Sequence, residues 1–192
     1  VPTSKSNFTA ANHLNKFDGK SYVIEAHSGS TAMEISTVGW GKNNWTSESS
    51  ATAEYKQAGL LYIGTYDRAT QAEVHGQPFT SRPLALEFYY KYYPLGEEQG
   101  KATIILEDDF HQEIGRGELH ITDMPTFSQA NVPITYSLNK KAAFLRVEFV
   151  STDSDSPATI AVQGSKGAWN AGFGDSRHIG SILTIDDVKL IY

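Results

Sequence analysis

The sequence predicts an all-β domain built as a two-sheet antiparallel sandwich of the jelly-roll type. Many short runs have strand composition and are separated by glycine, proline and asparagine turn signals, and apolar and polar residues alternate within these runs. No stretch of useful length has the period of an amphipathic helix. Alternation of this kind gives each sheet one buried face and one solvated face.

The predicted strands follow one another along the chain, and residues 1–192 are predicted to form a single domain. Residues 1–20 are expected to be a lead-in from an upstream region. Residues 39–58, rich in Gly, Asn, Ser and Thr, are predicted to be a long loop with one helical turn near 51–58. The strands are predicted over residues 21–26, 31–37, 60–64, 83–93, 101–107, 113–120, 132–138, 145–149, 158–162 and 182–192.

The alternation also predicts which side chains form the core. In the longest strand, Leu84, Leu86, Phe88 and Tyr90 share the face expected to be buried. A proline within the run 132–138 indicates an edge position or a strand start. The corresponding faces of three later strands carry Ala102, Ile104, Leu106, Val132, Ile134, Tyr136, Leu138, Leu145, Val147 and Phe149.

Composition excludes several classes of function. The formal net charge is −6 and no basic stripe is present, so a nucleic-acid partner is not expected. Cysteine is absent, which excludes a disulfide, a thiolate zinc site and a cysteine nucleophile. No apolar run approaches the length of about 18 residues that a membrane helix needs, so this domain is not expected to insert into a membrane. The polar start of the chain shows no signal peptide and is typical of a trimmed mature end.

Two sets of polar side chains lie opposite predicted core positions. Glu87, Tyr89 and Lys91 alternate with the core residues of the longest strand, and Arg146 and Glu148 do so in a later strand. If the two strands are neighbours in one sheet, their side chains form a platform of hydrogen-bonding groups around an aromatic ring, which suits a sugar. The alternative is a set of cross-strand salt bridges on a solvated sheet.

Three tryptophans occur in glycine- and asparagine-rich segments. Trp40 and Trp45 lie in the first of these segments, and Trp169 lies in the second. Rings placed in this way at the rim of a sandwich would stack on sugars, and we predict that all three contact the ligand. The alternative is that the rings close the ends of the sandwich, because tryptophan is highly buried on average.

The adjacent carboxylates Asp186 and Asp187 lie inside the apolar terminal strand. Such a pair is unfavourable there unless it is paired or bound to metal, and calcium prefers these oxygen ligands, so we predict a structural calcium site. The alternative is a bulge that turns both carboxylates to solvent. No full set of calcium ligands is spaced along the sequence as a calcium loop requires.

No catalytic motif is present, and no catalytic residue is assigned. The six histidines show no HExxH spacing, and the sequence has neither a GxSxG motif nor a phosphate-binding glycine loop. A glycosidase needs a pair of carboxylates that flank the scissile bond, and the distance between two carboxylates does not follow from the sequence. The carboxylates considered for this role are Glu87, Glu107, Asp108, Asp109 and Glu148.

Three motifs in order carry a family resemblance. They are the run Gly76-Gln77-Pro78-Phe79-Thr80-Ser81-Arg82-Pro83, the strand Tyr90-Lys91-Tyr92-Tyr93-Pro94, and the terminal strand from Gly180 to Tyr192. Over about residues 20–192 the chain resembles the PCMD family of Bacteroides-type bacteria, which is named for a role in carbohydrate metabolism. The resemblance implies a jelly roll like that of carbohydrate-binding modules, in the C-terminal part of an exported lipoprotein. By analogy with such modules, it also implies that Asp186 or Asp187 helps hold a structural calcium.

The function expected from these observations is non-catalytic binding of a glycan, either a polysaccharide or the glycan of a glycoprotein. The domain is then expected in the periplasm or at the cell surface. A structural or adhesive domain of a surface assembly is the first alternative, and a glycoside hydrolase or lyase is the second. A fold alone does not decide between these functions.

Overall fold

The computed structural model describes residues 8–11, 22–23, 25–40, 53, 55–67, 69–70, 72–161 and 178–192. Within these ranges the chain forms strands and no helix, so none of the described residues belongs to a helix long and apolar enough to cross a membrane. All strand pairs are antiparallel and are divided between two sheets. This arrangement confirms the predicted all-β, two-sheet fold class.

The strands are numbered along the chain. Sheet one contains β1 (Phe8–Ala11), β5 (Leu60–Asp67), β6 (Ala72–His75), β7 (Gln77–Pro78), β9 (Gly100–Glu107), β10 (Glu113–Ile121), β12 (Thr135–Tyr136) and β13 (Phe144–Val150). Sheet two contains β2 (Tyr22–Val23), β3 (Ala32–Trp40), β4 (Tyr55–Gln57), β8 (Ala85–Tyr93), β11 (Met124–Pro133), β14 (Ile160–Ala161) and β15 (His178–Ile191).

The chain passes repeatedly from one sheet to the other. Sheet one has the order β1-β5-β13-β9-β10-β12, with β6 on β5 and β7 on β13. Sheet two has the order β11-β8-β15-β3-β2, with β4 on β3 and β14 on β15. Because β8, β11 and β15 alternate along the chain with strands of sheet one, the connections have the jelly-roll pattern.

The core lies between the two sheets and follows the predicted alternation. Leu86, Phe88 and Tyr90 of β8 are buried there, and Phe88 packs edge-to-face on Phe149 of β13 with ring centroids 4.9 Å apart. Leu84 was predicted to join them but is 63% exposed. It precedes the first residue of β8, where its backbone still hydrogen-bonds Ile191 and Ile134 but the layer of core side chains has ended.

The terminal strand changes its register at Asp187. Leu183 and Ile185 point into the core before this residue, and Val188 and Leu190 do so after it, so the inward set shifts by one position. The pairing with β8 is irregular between Asp186 and Lys189, and Asp187 has a φ of 49°. One extra residue in a bulge produces this shift, and it leaves Asp186 on the outer face of the sheet.

Three segments differ from the sequence prediction. Residues 55–57, placed in a helical turn, form β4 instead, because their backbone pairs with the end of β3. Part of the expected lead-in forms β1, which pairs with β5. The run 132–138 is not one strand, since β11 belongs to sheet two, β12 belongs to sheet one, and the chain crosses between them at Ile134. Pro133 ends β11, which is an edge strand of the described part of sheet two. This agrees with the edge position that a proline in this run indicates.

Candidate functional site

A hairpin places one histidine over the outer face of sheet one, the face directed away from the core. Tyr62 alternates with the core residues of β5 and therefore lies on this face. The His75 ring from β6 stacks on the Tyr62 ring, with centroids 4.1 Å apart and an interplanar angle of 9°. Gly76 follows with a φ of 96°, a conformation that favours glycine and turns the chain from β5 towards β13.

The carboxylate of Glu148 lies at the centre of this face. Its Oε1 atom is 2.7 Å from Nδ1 of His75 and accepts a 2.9 Å hydrogen bond from Nη2 of Arg146. The other ring nitrogen of His75, Nε2, is 2.8 Å from Oε2 of Glu73. One imidazole thus connects two carboxylates, and one of these also binds a guanidinium.

The network continues across Arg146 to a second histidine. Nη1 of Arg146 donates a 3.3 Å hydrogen bond to Oε1 of Glu107, and Oε2 of Glu107 is 3.0 Å from Nδ1 of His111. The His111 ring stacks on Phe144, with centroids 4.3 Å apart. The result is one line of planar polar groups, here called the His75–His111 network, which comprises Glu73, His75, Glu148, Arg146, Glu107 and His111.

A tight turn between β9 and β10 holds His111 in place. The buried carboxylate of Asp108 accepts hydrogen bonds from the backbone amides of Phe110 and Gln112 and from Nζ of Lys140. Such a side chain stabilises a turn by replacing a backbone acceptor. The turn leaves 65% of the His111 side chain and 83% of Phe110 exposed. Two rings are therefore accessible at one end of the network.

The ionisation of the network follows from its contacts. The hydrogen bond from His75, together with that from Arg146, lowers the pKa of Glu148 to about 2 despite its partial burial. The same contact with Glu148 raises the pKa of His75. Burial raises the pKa of Tyr62 to about 12, so its hydroxyl stays protonated and donates to the carbonyl oxygen of Thr65. At neutral pH the centre of the face is an ion pair flanked by aromatic rings.

The predicted platform of five residues does not exist as one surface. Glu87, Tyr89 and Lys91 belong to β8 in sheet two, whereas Arg146 and Glu148 belong to β13 in sheet one. The outer faces of the two sheets lie on opposite sides of the sandwich, so these sets cannot contact one small ligand together. The sequence shows which residues share a face within a strand, but it does not show which strands are neighbours.

The outer face of β8 is also less accessible than predicted. Glu87 and Lys91 are both buried, at 9% and 5% exposure. Glu87 forms an ion pair with Lys189 of β15. Lys91 is paired with Glu25, which precedes β3 in the chain. Side chains from β15 and from the chain before β3 therefore cover the face of β8 that the sequence alternation predicted to be solvated.

The carboxylates of Asp186 and Asp187 are engaged by protein donors. Asp186 accepts hydrogen bonds from the backbone amides of His27, Ser28 and Asp187. Asp187 accepts a hydrogen bond from the Ser28 hydroxyl and lies 2.7 Å from Nδ1 of His27. Calcium takes six to eight oxygen ligands, and N–H groups that donate to these carboxylates cannot serve as calcium ligands. Among the described residues no group of three or more His, Asp or Glu side chains is arranged to hold a metal, and calcium stays a prediction.

The predicted tryptophan contacts fall largely outside the described residues. Trp45 and Trp169 lie outside them, and Trp40 is described only as the last backbone position of β3. The described residues beside the two glycine-rich segments are neighbours in sheet two. Trp40 pairs with Tyr55, Ala161 pairs with His178, and His178 pairs with Gly39. Both segments thus begin and end at the same end of sheet two.

Sequence reasoning missed most of the His75–His111 network. Glu107 had a usable signal, because it alternates with Ile104 and Leu106 and so lies on the outer face. The histidines had none. His75 reaches Tyr62 only because the β5–β6 hairpin closes, and His111 reaches Phe144 only because Asp108 and Lys140 fix the turn.

No family model matches this chain, and no curated protein is similar to it in sequence. Solved structures with similar folds include carbohydrate-binding modules of the β-sandwich superfamily, with TM-score 0.49 and 8% identity over 99% of this chain and 59% of that one. A family 11 carbohydrate-binding module from Clostridium thermocellum, in complex with a β-1,3-1,4-mixed-linked tetrasaccharide, has TM-score 0.48 and 11% identity over 98% and 90%. An arabinose-bound α-L-arabinofuranosidase has TM-score 0.44 and 6% identity over 100% and 24%.

These similarities do not decide between binding and catalysis, because both kinds of protein occur among them at TM-scores below 0.5. This chain also spans only 59% of the first of these structures.

Proposed function

We propose that this protein is a non-catalytic glycan-binding domain and that the glycan lies across the outer face of sheet one. The observation that carries the proposal is the His75–His111 network, a continuous line of planar hydrogen-bonding groups on a sheet surface. Sugars present donor and acceptor hydroxyls side by side, and carboxylate, imidazole and guanidinium groups pair with them in the plane. The guanidinium of Arg146 has five N–H donors. One from Nη1 binds the carboxylate of Glu107, and one from Nη2 binds that of Glu148.

The exposed rings at one end of the network supply the second element that a sugar needs. His111 is stacked on Phe144 on one side, and 65% of its side chain is accessible. Phe110, the neighbouring residue, is even more exposed. An apolar ring of this size on a surface of polar groups gives the C–H face of a pyranose a place to pack, with the adjacent carboxylates within reach of its hydroxyls.

The charge of the face favours a neutral glycan. Glu73, Glu107 and Glu148 bring three carboxylates to the network, whereas Arg146 brings one guanidinium. Even when His75 carries a proton, as its raised pKa favours, His75 and Arg146 together offset only two of these three carboxylates, and a protein of net charge −6 adds no positive field. A sulfated or carboxylated sugar would be repelled here.

The ionisation of four carboxyl groups argues against their acting as the acid of a glycosidase. A glycosidase needs one carboxylic acid with a raised pKa to protonate the leaving group. Hydrogen-bonding partners lower the pKa of Glu148, and the same holds for Asp67, Glu87 and Asp108. These four carboxyl groups stay ionised at neutral pH and cannot act as that acid.

The wider context belongs to the same proposal. Membership of the PCMD family, export, attachment as a lipoprotein and a structural calcium would be consistent with a glycan-binding domain at the cell surface. Mass spectrometry of the full-length protein from its source would detect a lipid at its N-terminus. A structural or adhesive role is the second candidate, and a folded domain that binds no glycan would favour it.

The proposal is tested with two histidine variants matched in residue type. In His111→Ala, the exposed ring is lost, and we expect the affinity for a neutral oligosaccharide identified on a glycan array to fall at least about tenfold, as loss of a contact worth about 1.4 kcal/mol does. His120→Ala is the control, because His120 is also exposed and also pairs with a carboxylate, that of Asp153. Equal affinities for the two variants would refute the placement of the glycan.

A further inference from the structure

A short loop lies across the outer face of sheet two. Residues 25–30 connect β2 to β3 at one side of this sheet, yet their side chains reach β15, β8 and β11. The loop is anchored through Asp186, which is fully buried and accepts hydrogen bonds from the amides of His27 and Ser28 at 2.9 and 3.2 Å. Asp187 holds the side chains of the same two residues. The backbone of the loop is therefore fixed to the sheet.

The anchored loop forms an aromatic corner with the sheet. The His27 ring stacks on Tyr89, with centroids 3.5 Å apart and an interplanar angle of 11°. It also meets Phe127 of β11 edge-on, with centroids 6.0 Å apart. About a third of the His27 side chain stays exposed, so the outer surface of the stack is accessible.

A buried ammonium group lies beside this corner. The Lys91 side chain is only 7% exposed, and its Nζ lies 5.1 Å from the centroid of the Phe127 ring. Nζ forms a 2.7 Å ion pair with Oε2 of Glu25, whose side chain is 75% exposed. A buried cation requires an anion, but this anion comes from a side chain that lies mostly in water.

We propose that Lys91 anchors a second carbohydrate site, which takes the carboxylate of a uronic-acid sugar, and that Glu25 occupies this anion position in the free protein. An external carboxylate would replace that of Glu25 on Nζ while the loop backbone stays bound to Asp186. The sugar ring would then pack in the corner of His27 and Phe127.

The exchange is favourable for two reasons. Releasing Glu25 returns its carboxylate to water, where 75% of the side chain already lies, and the incoming carboxylate takes its place on Nζ, so the ion pair is exchanged and not lost. Glu25 also loses side-chain freedom when it is held on Lys91, whereas the carboxylate of a uronate is already fixed to a rigid ring. The ammonium keeps an anionic partner throughout, so no unpaired charge is left buried.

This site differs from the one on sheet one in position and in charge preference. It depends on the proposed function only for the ligand being a sugar, since the feature that the structure supplies is a carboxylate position next to aromatic rings. A uronate and a simple organic acid share this chemistry, and the experiment distinguishes them.

The test uses the purified protein and a titration with an oligogalacturonide. In the unaltered protein we expect amide chemical shifts to change at residues 25–28, Tyr89 and Lys91. Glu25→Gln removes the internal anion and is expected to tighten binding by about tenfold, because the free site is then available at all times. Lys91→Met is expected to abolish binding, and its circular dichroism shows whether it folds.

Glu97→Gln is the matched control, because Glu97 is exposed in the β8–β9 connection and its change alters the net charge equally. Equal affinities for Glu25→Gln and Glu97→Gln would overturn the role of Glu25. Acetate that displaced the oligogalacturonide at equal concentration would overturn the assignment to a sugar. A neutral oligogalactan that shifted the same residues equally would overturn the carboxylate. Because shifts on the two sheets are read separately, failure here is distinguishable from failure of the sheet-one proposal.

Discussion

Replacing Glu148 by Gln removes the central charge of the His75–His111 network. The pKa of Glu148 falls from an ordinary 4.5 to about 2 in the folded protein. At about 1.4 kcal/mol for each tenfold change in an ionisation constant, the ionised carboxylate contributes about 3 kcal/mol to folding at neutral pH. Its side chain is 21% exposed, so screening by solvent reduces this figure only in part. For a chain of this size we expect the melting temperature to fall by about 6–12 °C.

The contribution of Glu148 and His75 to the free energy of unfolding depends on pH. Because the folded pKa of Glu148 is lowered, its contribution is present above about pH 4.5 and is lost as the pH falls towards 2. Because the pKa of His75 is raised above its usual 6.5, its contribution is present below pH 6.5 and is lost as the pH rises through the raised value. The pair therefore stabilises the fold most between about pH 4.5 and 6.5, and Glu148→Gln should remove this maximum.

Denaturant unfolding from pH 3 to pH 8 measures both effects. Glu118→Gln is the matched control, since Glu118 lies on the same sheet but is exposed and pairs with exposed Arg116, so its loss should change stability by less than about 0.5 kcal/mol. If the two variants unfold alike at every pH, the electrostatic account of the network is refuted.

Three further predictions concern the core, the rim and the metal. Phe88→Ala should cost about 3–5 kcal/mol in the free energy of unfolding, whereas Leu84→Ala, at an exposed position, should cost under about 0.5 kcal/mol; similar melting shifts would contradict the face assignment. If the glycan also reaches the three tryptophans, as the sequence predicts, alanine at Trp40, Trp45 and Trp169 together should weaken its retention on an affinity gel while circular dichroism stays unchanged, and full retention would remove the three rings from the ligand contacts. If calcium binds the aspartates of β15, adding it should raise the melting temperature and a chelator should lower it; identical melting curves in both would remove calcium from the account.

The arrangement within each strand could be predicted from the sequence. The alternation that places Leu145, Val147 and Phe149 in the core is a property of neighbouring residues and needs no knowledge of the fold. It fails at strand ends, as Leu84 shows, because the alternation does not reveal where the core layer stops.

Relations between distant segments could not be predicted in this way. The five-residue platform required β8 and β13 to be neighbours, and they belong to different sheets; nothing in either strand encodes its partner, because both have the same apolar and polar period. The adjacent aspartates of β15 did indicate an unusual position. Their bulge holds a loop about 160 residues earlier in the chain, a contact that no local pattern specifies.

The candidate site follows the same rule. Arg146 and Glu148 were predicted to contact the ligand because they alternate with core residues. Their partners His75 and Glu107 come from other strands, and the structure is needed to bring them together. Side chains on a solvated face resemble one another in sequence whether they bind a ligand or only water.

The most direct test of the central claim is a glycan array probed with the purified domain and with Arg146→Ala, each shown to be folded. We predict specific retention of a neutral glycan by the unaltered domain and its loss in the variant, because Arg146 joins the two halves of the His75–His111 network. A blank array from the folded domain, or a variant that retains the same glycan equally well, would contradict the account.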